Sequence, residues 1–388
     1  MSDSPRDVQA RVVPVNSAPK ITMKFLIKTL IKYNASDLHL KAGRPPLYRI
    51  NGKIVPVKMP DLLPDQISSI FFELLNPEQM KTLEKERQLN LSFLVEDTGR
   101  FRCNIYYHMG SIGAAIRMVP LVIPTFDSLG LPSVLKEFCQ RPRGLVLVTG
   151  ASGAGKSTTL AAMIQYVNEN SHVHILSLDD PIEFVYRDEK ALITQREIGT
   201  DVPNLTDALQ AGLRQDPDVI VIGELLSKEM IQIALTAAET GHLVMATLHT
   251  NDATSALNRI SEIFPPDGQQ QIRVQLASSL VGVVSQQLLS RADGNGRVVA
   301  CEVMVKSPVI EEYIRKNEIN AIADAIANSN NHYKMQTMDQ ALSRLVQAGV
   351  VTMEEASKGS HSPDDLKLLV AGITRERGFE VMDRGQAA

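Results

Sequence analysis

The sequence predicts an α/β protein: a larger parallel-sheet part buried on both faces, preceded by a smaller α+β part. Three observations carry this. Four short apolar runs, Leu145-Val146-Leu147-Val148, Val173–Leu178, Val219-Ile220-Val221-Ile222 and Leu243–Leu248, are separated by helical segments, the pattern of a sheet covered by helices on both sides. Upstream, residues 89–118 alternate apolar and polar at period two, as antiparallel strands with one dry face do. The 388 residues, 44% hydrophobic and 22% charged, suffice for roughly two to three domains and lie far from the composition of disordered chains.

Taken in order, residues 1–20 carry acids and prolines but no apolar h-region, so they read as a loose tail and not as a secretory signal. Ile21, Phe25, Leu26, Leu30 and Ile31 fall near helical spacing and predict an amphipathic helix ending before Asn34. Asn51-Gly52, between Tyr48-Arg49-Ile50 and Lys53-Ile54-Val55, predicts a hairpin, because both turn positions tolerate positive φ. Helical character returns from Pro64 to Arg87. Then Leu89, Leu91, Phe93 and Val95 alternate, Asp97-Thr98-Gly99 turns, Phe101, Cys103, Ile105 and Tyr107 alternate, and after Met109-Gly110 so do Ile112, Ala114, Ile116 and Met118. Residues 21–120 form the small domain on this reading, 121–143 with three prolines a partly helical linker, 144–306 the α/β core, and 307–388 a mostly helical region whose last residues, 382–388, fray.

Forty Lys and Arg against 44 Asp and Glu give a net charge of −4, which argues against a general nucleic-acid binder. The three cysteines, Cys103, Cys139 and Cys301, form no CxxC pair, so neither a zinc site nor a disulfide framework is expected. No apolar run approaches the ~18 residues that span a bilayer, and any membrane association is expected to be peripheral.

The chemistry begins at Gly150-Ala151-Ser152-Gly153-Ala154-Gly155-Lys156-Ser157, which fits GxxxxGK[ST] between a buried strand and a helical stretch opening at Thr158. Glycines let successive N–H groups face phosphate oxygens, and the helix start adds partial positive charge. Lys156 is expected at the β- and γ-phosphates and the Ser157 hydroxyl on Mg²⁺. Two acidic segments leave strand ends nearby. Glu224, after Asp218-Val219-Ile220-Val221-Ile222-Gly223, is the candidate for polarising water. Asp179, Asp180 and Glu183 follow the strand ending at Leu178, where a turn with a capping Asp is the plainer alternative. His242 and His249 flank the run Leu243–Leu248; each also reads as a structural histidine, and neither has metal-ligand company. Period-two geometry puts Arg100 and Arg102 on the meander's polar face, with Arg117 across from Arg102 if the turn centres on Met109-Gly110. Alone, that face also reads as solvated surface.

Together the phosphate loop, LSLDDPIEF, TQREIG, LRQDPDVIVIGE, ALTAAETGHLVMATLHTNDA and MQTMDQAL resemble the type IV pilus retraction ATPases, the PilT/PilU branch of the secretion ATPases, over roughly Ile21 to Leu342. The resemblance implies a PAS-like domain before a RecA-like P-loop domain, with ATP and Mg²⁺ held between them in a homo-hexameric ring. It further implies action at the cytoplasmic side of the inner membrane, on a PilC-like platform protein, with a paralogous PilT ring as a further partner. By position, Lys156 and Ser157 match the Walker A pair, Glu224 the Walker B glutamate (touching Mg²⁺ through water), Asp179, Asp180 and Glu183 the Asp box, and His242 and His249 the His box. Arg100, Arg102 and Arg117 match the arginines that approach the phosphates. Two places depart from the pattern: Asp179 replaces the usual glutamate, and Leu225-Leu226-Ser227 replaces a stretch with an arginine and an acid, which looks more like PilU. An assembly or type II secretion ATPase and a weakly hydrolysing accessory ring are the alternatives.

Overall fold

The computed structural model describes residues 21–50, 52–95, 98–119 and 122–373. The expected tail at 1–20, the end at 382–388, and Asn51, Asp97 and Leu121 lie outside the described residues. The chain divides into two units, Met1–Val119 and Pro120–Ala388.

In the first unit α1 (Met23–Lys32) starts where the Thr22 hydroxyl accepts from the Phe25 N–H. Its dry face is Leu26, Ile27 and Leu30; Phe25 and Ile31, expected inside, are 48% and 43% exposed. The expected face is therefore rotated, because Ile27 rather than Ile31 meets the core. Strands β1 (Asp37–Leu40), β2 (Leu47–Ile50) and β3 (Lys53–Pro56) follow, then α2 (Pro64–Phe72) and α3 (Pro77–Glu86), with Asn76 and Pro77 dividing the helical stretch expected there into two. β4 (Gln88–Val95), β5 (Gly99–His108) and β6 (Ser111–Met118) complete an antiparallel sheet ordered β3-β2-β1-β6-β5-β4. The β5–β6 turn is Met109-Gly110, with φ +49° and +79° and His108 opposite Ser111, a two-residue hairpin of the primed type. That turn fixes the register: Phe101, Cys103 and Ile105 go into the core, and Arg102 lies opposite Arg117.

In the second unit, α4 (Phe126–Leu129) and α5 (Val134–Cys139) occupy the expected linker but pack into the main core through Phe126, Val134, Leu135 and Phe138. The strands and helices then run β7 (Gly144–Thr149), α6 (Lys156–Asn170), β8 (His174–Asp179), β9 (Leu192–Glu197), α7 (Leu205–Gly212), β10 (Val219–Ile222), α8 (Lys228–Thr240), β11 (Leu243–Leu248), α9 (Ala253–Glu262), α10 (Pro266–Ser279), β12 (Leu280–Ser290) and β13 (Arg297–Val305). The sheet order is β13-β12-β7-β11-β10-β8-β9; only the β12–β13 pair is antiparallel. Every residue of β7, β10 and β11 is buried, as the apolar runs require. Each such aliphatic side chain contributes about 1.5–3 kcal/mol of transfer free energy. Of the remaining helices, α11 (Pro308–Lys316) and α12 (Asn320–Asn328) join the same core, α13 (Asn330–Tyr333) is one turn, and α14 (Met338–Gln347), α15 (Met353–Gly359) and α16 (Pro363–Val370) build a smaller apolar cluster against Leu289 and Ala300.

Candidate functional site: a phosphate loop with an acid and a histidine

Three adjacent parallel strands end level with one another: Thr149 of β7 faces Leu248 of β11, and Ile222 of β10 faces Ala246. The chain leaves this carboxyl edge as the phosphate loop, as His249 and as Glu224, and from β8 as Asp179 to Glu183. Open parallel sheets take ligands at this edge. A separate cavity of about 690 Å³, lined by Arg141, Glu239 and Lys306 among others, lies at the amino edge and shares none of these groups.

The loop shape depends on glycine at two points above all. Gly150 has φ +149°, and a Cβ there would stand 2.5 Å from the Gln286 carbonyl oxygen. Gly155, with φ +89°, is the residue before α6 and offers no side-chain cap. The first N–H groups of α6 are thus left for an anion. Ala151, Ser152, Gly153 and Ser157 are exposed, Thr158 is half-buried and Ala154 is buried.

Lys156 is only 8% exposed; its Nζ donates to the carbonyls of Gly150 (2.9 Å) and Ala151 (3.1 Å) and lies 3.4 Å from His249 Nδ1. Burial pushes the Lys156 amine below its ordinary range, opposed by the charges of Glu224 and Glu183. An ammonium has protons and no lone pair, so Nδ1 accepts, and the ring proton of neutral His249 falls on Nε2. That nitrogen is 3.2 Å from Glu224 Oε1 and donates to it. Lys156, His249 and Glu224 therefore form one chain of donors. A γ-phosphate that draws Lys156 away would act on the hydrogen bonding of Glu224 through His249.

The acidic segment divides. Asp180 and Glu183 are exposed, whereas Asp179 turns into the sheet and accepts from Ser177 Oγ at 2.8 Å. Burial, aided by the charges of Glu183 and Glu197 and offset by hydrogen bonds, pushes the Asp179 carboxyl up to about 6. In this structure the half-buried carboxylate is engaged with Ser177 at the sheet edge, unlike those of Asp180 and Glu183. A group whose folded value exceeds its unfolded one binds an extra proton when folded, so stability falls as pH rises from the unfolded value through about 6. Asp179→Asn removes a desolvated carboxylate, and is expected to raise stability at pH 7.5 by roughly 3 kcal/mol. The gain should shrink to about half at pH 5. Thermal unfolding at the two pH values measures it; a variant less stable at pH 7.5 than at pH 5, relative to wild type, would contradict the assignment.

His242 lies at the opposite end of its strand from the loop. It precedes β11, so the six residues of that strand, ~20 Å of extended chain, separate it from the loop. Its ring meets the Ala237 carbonyl at 3.0 Å, and its own carbonyl accepts from Gly144 N–H. It caps helix and strand ends and is not part of this chain's phosphate site. Arg100, Arg102 and Arg117 lie in the first unit, on the polar face of its sheet. There Arg117 donates through Nε to Asp37 Oδ1 at 2.7 Å, and Arg49 and Ser36 meet the other carboxylate oxygen at 3.4 and 2.8 Å. Burial raises the Asp37 carboxyl, but the hydrogen bonds from Arg117 and Ser36 win and hold it below the usual range. The two terminal nitrogens of Arg117 form no hydrogen bond or ion pair among the described residues.

Sequence reasoning missed three supports. Thr149 Oγ1 donates to Ser285 Oγ at 2.8 Å, Thr247 Oγ1 donates to the Gly223 carbonyl beside Glu224, and Gln286 Nε2 donates to the Ala154 carbonyl at 2.8 Å. Ser285 and Gln286 are signalled only by being polar within the apolar run Leu280–Leu289.

The sequence profile of the type II/IV secretion system proteins matches residues 16–295. The type IV pilus retractation ATPase PilT of Pseudomonas aeruginosa is 40% identical over 86% of this chain and 96% of its own length. The type IV pilus ATPase PilU of the same organism is 39% identical over 89% of this chain and 90% of its own. A crystal structure of the pilus retraction motor PilT with bound ADP superposes with a TM-score of 0.85, at 42% identity, covering 89% of this chain and 99% of that one. With its phosphate loop, acid and histidine on one sheet edge, the chain belongs to the type II/IV secretion system protein family, in the PilT/PilU branch of its ATPases.

Proposed function

We propose that this protein is the ATP-hydrolysing subunit of a homo-hexameric ring that powers type IV pilus retraction, and with it twitching motility, at the cytoplasmic face of the inner membrane. The observation that supports it most is the Lys156–His249–Glu224 chain at the carboxyl edge of β7, β11 and β10, in a sequence spanning nearly the whole of PilT and PilU. Among the described residues no helix is long and apolar enough to cross a membrane, which suits docking on an inner-membrane platform protein of the PilC kind.

ATP lies with its β- and γ-phosphates against the loop N–H groups and Lys156. The Ser157 hydroxyl, a hard oxygen donor at that edge, would hold Mg²⁺, with the Glu224 carboxylate reaching the ion through water. When bound, the ion would supply positive charge that neutralises the phosphate oxygens. Glu224 takes the proton of the attacking water, with His249 Nε2–H fixing the carboxylate's orientation. In the assembled ring Arg100, Arg102 and Arg117 meet the charge developing on the γ-phosphoryl group. Asp37 holds Arg117 by Nε, which leaves the fork free for phosphate.

Leu226 and Ser227, standing where an arginine and an acid are usual, favour a second reading: an accessory ring that binds nucleotide, turns it over slowly and works with a paralogous PilT ring. An assembly or secretion motor is disfavoured by the lack of any CxxC pair. Deletion separates the directions of force. Cells without the protein should keep surface pili and lose retraction, read by fluorescent labelling of live pili; loss of the pili themselves would assign the chain to assembly.

A further inference from the structure

We infer that Gln286 is a positioning residue for the phosphate loop, aiming the Gly155 N–H at the incoming triphosphate. β12 runs parallel to β7 with Ser285 opposite Thr149, so the next residue, Gln286, falls beneath the loop just beyond the end of β7. The residue is wholly buried and meets the loop at three places, two through its side chain and one through its backbone. Nε2 donates to the Ala154 carbonyl at 2.8 Å; the backbone oxygen occupies the space a Cβ would need at Gly150; and Nε2 lies 3.2 Å from the Cβ position of Gly155.

The peptide plane decides what this contact does. In a trans peptide the carbonyl and the following N–H point in opposite directions. Holding the Ala154 oxygen toward β12 therefore turns the Gly155 N–H away from β12, and that N–H makes no hydrogen bond among the described residues. It joins the first N–H groups of α6 as a donor for phosphate. A residue present only to fill the core would be apolar here. Gln286 instead carries an Oε1 that is buried and meets no donor among the described residues. That oxygen has a desolvation cost, which a methionine of the same length would avoid. Glycine at 150 and 155 leaves room for this amide as well as permitting the positive φ.

The inference rests on nucleotide binding at this loop, which the binding of a fluorescent ADP analogue to the wild-type protein checks separately. Gln286→Met keeps the shape and removes the donor. We expect it to raise KM for ATP and Kd for the ADP analogue about tenfold, with kcat within about threefold, as loss of one binding hydrogen bond does. The thermal midpoint should stay level or rise. Gln286→Glu, equally long but unable to donate when ionised, should show the same rise in KM and serves if the methionine variant does not fold. Gln287→Ala is the control: the neighbouring amide donates to the Gly359 carbonyl at 3.2 Å, away from the loop, and its loss should leave KM unchanged. Wild-type KM in Gln286→Met, or an equal rise in Gln287→Ala, overturns the assignment. Tight analogue binding by wild type with unaltered KM in the variant would leave the loop a nucleotide site and remove only Gln286 from it.

Discussion

Lys156→Ala is expected to lower kcat/KM for ATP by at least about 10³-fold, because it removes a buried cation at the phosphate loop. The fold should survive. Charge at this position is disfavoured by burial, so the amine's hydrogen bonds to Gly150 and Ala151 are offset by its own desolvation, and the net effect on stability is small. Steady-state phosphate release and thermal unfolding measure the two sides. Loss of activity only in proportion to loss of folded protein would make Lys156 a structural residue.

Glu224→Gln should instead separate binding from chemistry. The amide keeps the volume and can still meet His249, but it cannot take a proton from water. kcat is expected to fall by roughly 10²–10⁴-fold while the affinity for ATP holds or improves. Because Glu224 also opposes the lowering of Lys156's basicity, the variant's lysine should titrate at lower pH than wild type's. A fall in affinity as large as the fall in kcat would mean that the carboxylate grips the nucleotide and its ion rather than activating water.

The residues of this site were legible in the sequence to different depths, for physical reasons. Period-two alternation and Met109-Gly110 were enough to put Arg102 across from Arg117, because a two-residue turn leaves only one register. The four buried runs gave β7, β8, β10 and β11, and the loop motif then located the carboxyl edge. Three strands of the second unit did not show. β9 is a polar edge strand, Leu-Ile-Thr-Gln-Arg-Glu, without the apolar signature of its neighbours. β12 follows α10 with no glycine, proline or turn between them: Ser279 ends the helix and Leu280, at φ −60° and ψ 134°, begins the strand. β13, reached from β12 by a short turn, was hidden with it. Without β12 neither Ser285 nor Gln286 could be placed beneath the loop.

The placement of His242 and Asp179 depends on features that spacing does not carry. His242 and His249 look equivalent in sequence, one at each end of the same apolar run, and strand polarity alone separates them: only the carboxyl end faces phosphate. Asp179 sits at the correct end, yet Ser177, two residues earlier on the same strand face, draws its carboxylate inward. Motif spacing carries neither polarity nor rotamer. The prolines at 124, 132 and 142 similarly suggested a linker, while Phe126 and Phe138 belong to the core, and Phe138 lies so close to Gly282 that a Cβ there would stand 2.4 Å from it.

Phosphate release by the purified full-length protein, with ATP and magnesium and beside the Glu224→Gln variant, tests most directly whether this sheet edge is a hydrolytic motor site. The account predicts wild-type turnover more than about 10²-fold above a variant that binds ATP equally well. Equal, negligible release from both, with tight ATP binding by each, would contradict it and leave a ring that holds nucleotide without spending it.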